Sequence, residues 1–77
     1  MKLFASLREA VGASELTLVL QDGATAEDCW RELVHEHPSL ADRRRSLSAA
    51  VNRRYASFDA RLREGDEVVF IPPVSGG

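Results

Sequence analysis

TAEDCWRELVHEHP, residues 25–38, decides the architecture of this 77-residue chain. Ala26, Cys29, Trp30, Leu33, Val34 and His37 recur at three- and four-residue intervals, the spacing that stacks side chains on one face of an α-helix. Arg31, Glu32 and Glu36 fall on the other side. Thr25 is a good N-cap, because its hydroxyl can accept from a free amide of the first turn. Glu27 and Asp28 complement the positive end of the helix, and Pro38, lacking an amide proton, stops it. The reading is one amphipathic helix whose single apolar stripe needs a sheet to cover.

Outward from the helix the period changes from 3.6 to 2. Residues 1–6 alternate, with Met1, Leu3 and Ala5 facing one way and Phe4 the other. Leu7, Ala10 and Val11 then take helical spacing, so a single helical turn closing at Gly12 is expected. Residues 15–20 alternate again, with Leu16, Leu18 and Leu20 on one face, before Asp22-Gly23 makes a turn. Two strands so joined form a hairpin. Beyond the helix, Ser39 is expected to cap a short second helical piece through Arg45, with Leu40 and Leu47 pointing inward. Residues 48–52 read as a strand, Asn52-Arg53 as a turn, and Tyr55-Ala56 as a second short strand. Leu62 plugs a loop, and residues 63–66 turn tightly into a last strand, 67–71. One long helix between a first hairpin and later strands predicts an α+β domain: a mixed sheet packed on one main helix.

One helix covers one face of a sheet, yet both faces here are apolar. Val68 and Phe70 oppose Val69 and Ile71, and Leu3 and Ala5 oppose Phe4. If the helix takes the side bearing Leu3, Val68 and Phe70, then Phe4, Tyr55, Val69 and Ile71 form an exposed patch. Small monomers seldom retain such a patch without a partner.

Size and composition bound the function classes. Seventy-seven residues make a single domain, 1–77, and with 44% apolar and 29% charged residues no stretch is long and apolar enough to span a bilayer. The opening apolar run is too short for a secretory signal before Arg8 and Glu9, and one cysteine cannot form an internal disulfide. A cytoplasmic location is the expectation. A net charge of −2 gives no general attraction to nucleic acid or to an anionic membrane. Seven of the ten basic residues lie within 43–63, where Asp59 is the one acid. A solvated basic face and a surface for an acidic partner are the two readings of that stretch.

No catalytic set emerges. Cys29 shares the core stripe, where a small buried thiol is unreactive. Residues two apart on a helix diverge by about 200°, so His35 and His37 cannot converge with it on a metal. Glu27-Asp28 and Asp66-Glu67 are better explained as a helix start and a turn than as acid and base. The chemically suggestive segment is instead PPVSGG, residues 72–77. Pro72-Pro73 favours an extended backbone directed away from the domain. Gly76-Gly77 makes the narrowest peptide, able to enter a slot closed to other residues. A flexible tail 72–77 would reach roughly 20 Å, deep enough to enter another protein's active site.

Ala50-Val51-Asn52, Ser57-Phe58-Asp59, Leu62, Gly65-Asp66-Glu67-Val68, Phe70 and Pro72-Pro73-Val74-Ser75-Gly76-Gly77 together resemble the family of small, sulfur-carrying subunits of molybdopterin synthase. The resemblance runs the length of the chain and is most specific in its last thirteen residues. It implies a ubiquitin-like β-grasp fold and a chemical cycle. In that family an adenylating enzyme joins the terminal glycine carboxylate to AMP using ATP, and a sulfur donor displaces AMP to leave a thiocarboxylate. The tail then inserts into the large subunit, where its sulfur passes to a cyclic pyranopterin phosphate.

Here Gly77 would be the reacting residue, Gly76 the threading one, and Pro72, Pro73, Val74 and Ser75 the spacer that the partner grips. Phe4, Tyr55 and Ile71 resemble the family's apolar docking surface, Tyr55 standing where an aliphatic residue is commoner, and Arg8 resembles an arginine beside it. The resemblance implies no bound cofactor or metal, a large-subunit partner in a heterotetramer of two small and two large subunits, and an activating enzyme that uses ATP. It implies no partner nucleic acid or membrane. A thiamine-thiazole sulfur carrier and a protein modifier, in which Gly77 forms an isopeptide bond, share the tail chemistry. The Pro72-Pro73-Val74-Ser75 spacer and the helical turn expected after the first strand argue against the thiamine reading.

If the patch is a docking surface, Phe4→Asp and Ile71→Asp abolish binding to the large subunit in a pull-down while the circular dichroism spectrum stays native. Loss of the native spectrum instead would assign both residues to the core.

Overall fold

The computed structural model describes residues 1–9 and 12–73. Its elements are β1 (Lys2–Glu9), β2 (Gly12–Val19), α1 (Ala26–Glu36), a 3-10 segment (Pro38–Ser46), β3 (Ser48–Val51), β4 (Arg54–Ala56) and β5 (Glu67–Ile71). The strands form one sheet in the order β2-β1-β5-β3-β4. β1 and β5 are parallel and the other pairs antiparallel. The last strand in sequence is therefore the middle strand in space.

Helix α1 begins as its sequence dictates and is fastened more firmly than a lone cap requires. Thr25 is extended, its hydroxyl accepts from the Asp28 amide, and the Asp28 carboxylate accepts in return from the Thr25 amide at 2.9 Å. This reciprocal box satisfies two of the amides a helix start leaves free. The inward stripe of Ala26, Cys29, Trp30 and Leu33 is buried against Leu3, Ala5 and Leu7 of β1, Leu18 of β2, Ala49 of β3 and Val68 and Phe70 of β5. Trp30 meets Phe70 edge to face with ring centroids 5.1 Å apart, and Phe58 stacks on Phe70 at 5.8 Å, geometries that suit the ring quadrupoles. Leu40, Leu47 and Leu62 are buried as expected. His37 is half-buried and ends the helix as its C-cap, its amide donating to the Leu33 carbonyl.

Two local expectations are corrected. The helical turn after the first strand is absent, because β1 continues to Glu9 and β2 already starts at Gly12, with Glu9 paired to Gly12. Leu7 is the third inward residue after Leu3 and Ala5, so period 2 extends one step past the point where the helical spacing of Leu7, Ala10 and Val11 would end it. Ala10 and Val11 lie outside the described residues. The second helical piece is a 3-10 segment starting at Pro38, one residue before Ser39, and His37 rather than Ser39 precedes its first turn. Proline's fixed φ suits a first helical position, where its missing amide proton costs nothing.

Arg44 ties that segment to α1. The Arg44 guanidinium reaches both oxygens of Glu27, the shortest contact being 2.9 Å, and its carbon lies 3.4 Å from the centroid of the Phe58 ring. Both partners of the ion pair are about a third exposed, so screening keeps its contribution to about 1 kcal/mol or less. Its value lies in fixing three elements at one point.

The amide hydrogen bond from Thr25 is the main reason that the Asp28 carboxyl titrates below its ordinary range, outweighing the opposing effect of burial. A carboxyl depressed by folding contributes stability above its unfolded value, and that stability is lost as pH falls below about 4. Asp28→Asn is accordingly expected to melt lower than wild type at neutral pH and to lose less on acidification. Thermal melts across that range check it.

Candidate functional site

The sheet face away from α1 is built by alternation. On β1 the outward positions are Phe4, Ser6 and Arg8, on β5 Val69 and Ile71, on β3 Ala50, and on β4 Tyr55. Register sets them in rows. Ser6 pairs with Val69, Val69 with Ala50, and Ala50 with Tyr55. Tyr55 is 76% exposed, while Val69 and Ile71 are half-buried. Arg8, Ala50, Arg53, Tyr55, Val69 and Ile71 line a shallow hollow of about 220 Å³.

Four sequence-predicted residues, Arg8, Tyr55, Val69 and Ile71, thus meet at one place. Phe4 shares the face, 37% exposed, but pairs with Glu67 in the next row and does not line the hollow. Pro72 is half-buried and Pro73 exposed, both following directly from Ile71. Val74, Ser75, Gly76 and Gly77 lie outside the described residues. The chain thus leaves the sheet from its central strand, next to the hollow.

Ala50 and Arg53 are the lining residues that sequence reasoning did not assign to the site. Ala50 was legible as the outward neighbour of inward Ala49. Arg53 was masked by its membership of a long basic stretch, although its place in the Asn52-Arg53 turn beside Tyr55 was the usable signal. Both turn residues adopt left-handed backbone, with φ of 51° at Asn52 and 70° at Arg53. Asparagine tolerates that region. For arginine it costs about 1 kcal/mol.

Asn52 anchors the turn across the sheet. Its side-chain amide donates to Asp66 Oδ1 at 2.8 Å, its side-chain oxygen accepts from the Glu67 amide at 3.0 Å, and its own amide donates to the Glu67 carbonyl at 2.8 Å. Asp66 Oδ2 also accepts from the Arg63 amide, and Gly65, at φ 82°, supplies the left-handed residue of that tight turn. The β3–β4 turn and the start of β5 therefore form one hydrogen-bonded unit.

Elsewhere a larger cleft of about 470 Å³ runs between residues 19–24 and the flank of α1, bordered by Asp22, Asp28, Arg31 and Glu32. It is charged but holds no nucleophile paired with a base. Among the described residues no cluster of three His, Cys, Asp or Glu side chains is placed to hold a metal, and no helix is long and apolar enough to cross a membrane. Cys29 is fully buried.

A mixed five-stranded sheet wrapped over one main helix, with the chain leaving from the middle strand, defines a ubiquitin-like β-grasp domain. Within that class the chain belongs to the ThiS family, whose model matches residues 1–77. It is 41% identical over 75 residues to the molybdopterin synthase sulfur carrier subunit of Arabidopsis thaliana, covering 97% of this chain and 78% of that one. It is 42% identical over 76 residues to the subunit of the same name from Escherichia coli strain K12, covering 96% and 93%. Small archaeal modifier protein 1 of Haloferax volcanii is 32% identical over 84 residues, covering 99% and 97%. The crystal structure of SAMP1 from that organism superposes with a TM-score of 0.83 over 100% of both chains, at 24% identity.

Burial raises the Cys29 thiol to about 12, with the nearby Glu32 charge adding to the effect. Iodoacetamide at mildly alkaline pH is therefore expected to leave the native protein unlabelled and to modify Cys29 fully after denaturation, as read by intact mass.

Proposed function

We propose that this chain is the sulfur-carrier subunit of a molybdopterin synthase and that its cargo rides on the carbonyl carbon of Gly77. The observation that carries the reading is the similarity, over nearly the whole chain, to sulfur carrier subunits of that synthase. The hollow beside the Ile71-Pro72 exit supports it, since a protein that takes up the tail must also lie against this face.

The chemistry follows from the poor electrophilicity of a carboxylate. An adenylating partner lets the Gly77 carboxylate attack the α-phosphorus of ATP, releasing pyrophosphate and leaving an acyl-adenylate. A sulfur donor then displaces AMP and leaves a thiocarboxylate. Gly76, without a side chain, lets the end thread into the large subunit, while Pro72, Pro73, Val74 and Ser75 span the distance from the body to that site. Sulfur transfer to a cyclic pyranopterin phosphate, with water taking its place on Gly77, restores the carboxylate. Donors, bases and phosphate-binding groups belong to the partners, and this chain contributes no catalytic side chain and binds no cofactor. Phe4, Arg8, Tyr55 and Ile71 dock the body in a heterotetramer of two small and two large subunits, acting in the cytoplasm.

A second reading, a protein modifier joined through Gly77 to a lysine, is favoured by the likeness to the archaeal modifier. The thiamine-thiazole reading loses one of the arguments once raised against it, because the helical turn after β1 is absent. The Pro72-Pro73-Val74-Ser75 spacer and the relatives' shared name still weigh against it.

Incubation of the full chain with ATP, the activating enzyme and a sulfur source should raise its intact mass by the difference between sulfur and oxygen, and deletion of Gly77 should abolish the gain. Covalent ladders on lysate proteins with no such gain would assign the modifier role instead. Neither product would overturn both readings.

A further inference from the structure

We propose that Arg53, with Arg8, forms a two-cation bracket around the outer hollow that selects a segment of the large subunit carrying one apolar side chain flanked by carboxylates. Arg53 is thus a specificity-determining residue of this docking face. The inference rests on the proposed sulfur-carrier function and names the chemistry that its partner must present.

Four observations converge. First, at about 220 Å³ the hollow is smaller than the roughly 300 Å³ at which small-molecule pockets begin. It suits one inserted side chain. Second, Ala50, Val69 and Ile71 make its floor and Tyr55 its wall, so the insert is apolar. Third, Arg8 stands at the Ile71 end and Arg53 in the turn at the opposite corner; both are exposed, and neither has an ion-pair partner among the described residues. Two guanidiniums on one rim recognise carboxylates by charge-assisted, forked hydrogen bonds.

The fourth observation separates Arg53 from the other surface arginines. It occupies left-handed backbone at φ 70°, which glycine adopts freely and arginine does not. The turn cannot relax to relieve it, because Asn52 ties it to Asp66 and Glu67. A residue held in a costly conformation by its surroundings at the edge of a binding face points to a use for its side chain. Its neighbour Arg54 belongs to the opposite face of β4 by alternation, so the charge at the rim is that of Arg53.

The test titrates the full chain against the purified large subunit of the same organism at low and high salt, with Arg53→Gly, Arg53→Gln and Arg8→Gln. Arg31→Gln, on the exposed side of α1, controls for general charge. Arg53→Gly should melt at or above wild type and yet bind about tenfold more weakly at low salt, the gap closing as salt rises. Arg53→Gln and Arg8→Gln should weaken binding likewise, and Arg31→Gln should leave it unchanged. Equal affinity of wild type and the Arg53 variants overturns the bracket alone. Equal weakening by Arg31→Gln also overturns it, by reducing the effect to net charge. Failure of wild type to bind the large subunit overturns the bracket together with the function on which it rests.

Discussion

Phe70 is the contact through which the domain coheres. It sits fully buried on the central strand, with Trp30 of the helix meeting it on edge and Phe58 of the long loop stacked on it. Truncating an aromatic residue in such a core costs about 3–5 kcal/mol, a large share of the stability a small domain possesses. The next residue, Ile71, faces the opposite way into the outer hollow, and Pro72 follows it out of the sheet. Three successive positions thus join core, outer hollow and exit. Because β5 is flanked by β1 and β3, the strand that leads to Pro72 is held on both sides through Phe70 and by β3 at Ile71. A tail rooted on an edge strand would lack half of that support.

Among the residues that carry the family resemblance, Asn52, Gly65, Asp66 and Glu67 build the hydrogen-bonded junction between the β3–β4 turn and β5. That junction fixes where Arg53 stands and where the tail-bearing strand begins. Arg44 does similar work on the helix side, tying the 3-10 segment to Glu27 and Phe58. The basic stretch 43–63 is therefore not uniform. Arg44 is engaged within the fold, whereas Arg53 borders the hollow.

Much of the fold was legible because the determining signals are local. The helix stripe, its Thr25 cap and its Pro38 stop all lie within fourteen residues, and each acts through backbone geometry. The hairpin was misread where two periods coincide: Leu7 continues the alternation of Leu3 and Ala5 and also begins a helical spacing with Ala10 and Val11. Pairing of Glu9 with Gly12 decides between them, and pairing is a tertiary fact. The site divided in the same way. Alternation showed that Phe4, Tyr55, Val69 and Ile71 face outward, but the order of the strands decides which are neighbours. The Asn52–Asp66 bond spans fourteen residues, so nothing in either local pattern announced it.

A last consequence comes from the sealed thiol. An activated acyl group reacts with any good nucleophile within reach, so a protein bearing one on its own end risks self-capture as a cyclic thioester or amide. The single cysteine is enclosed beneath the helix and its ionisation is suppressed, which removes the strongest competitor. Lys2 is the sole lysine, and the remaining nine cations are arginines, protonated throughout the physiological range and inert toward acylation. Lys2 and the terminal amine are then the amines that remain on the body, and under the proposed function an activated Gly77 is left chiefly for other proteins to react with.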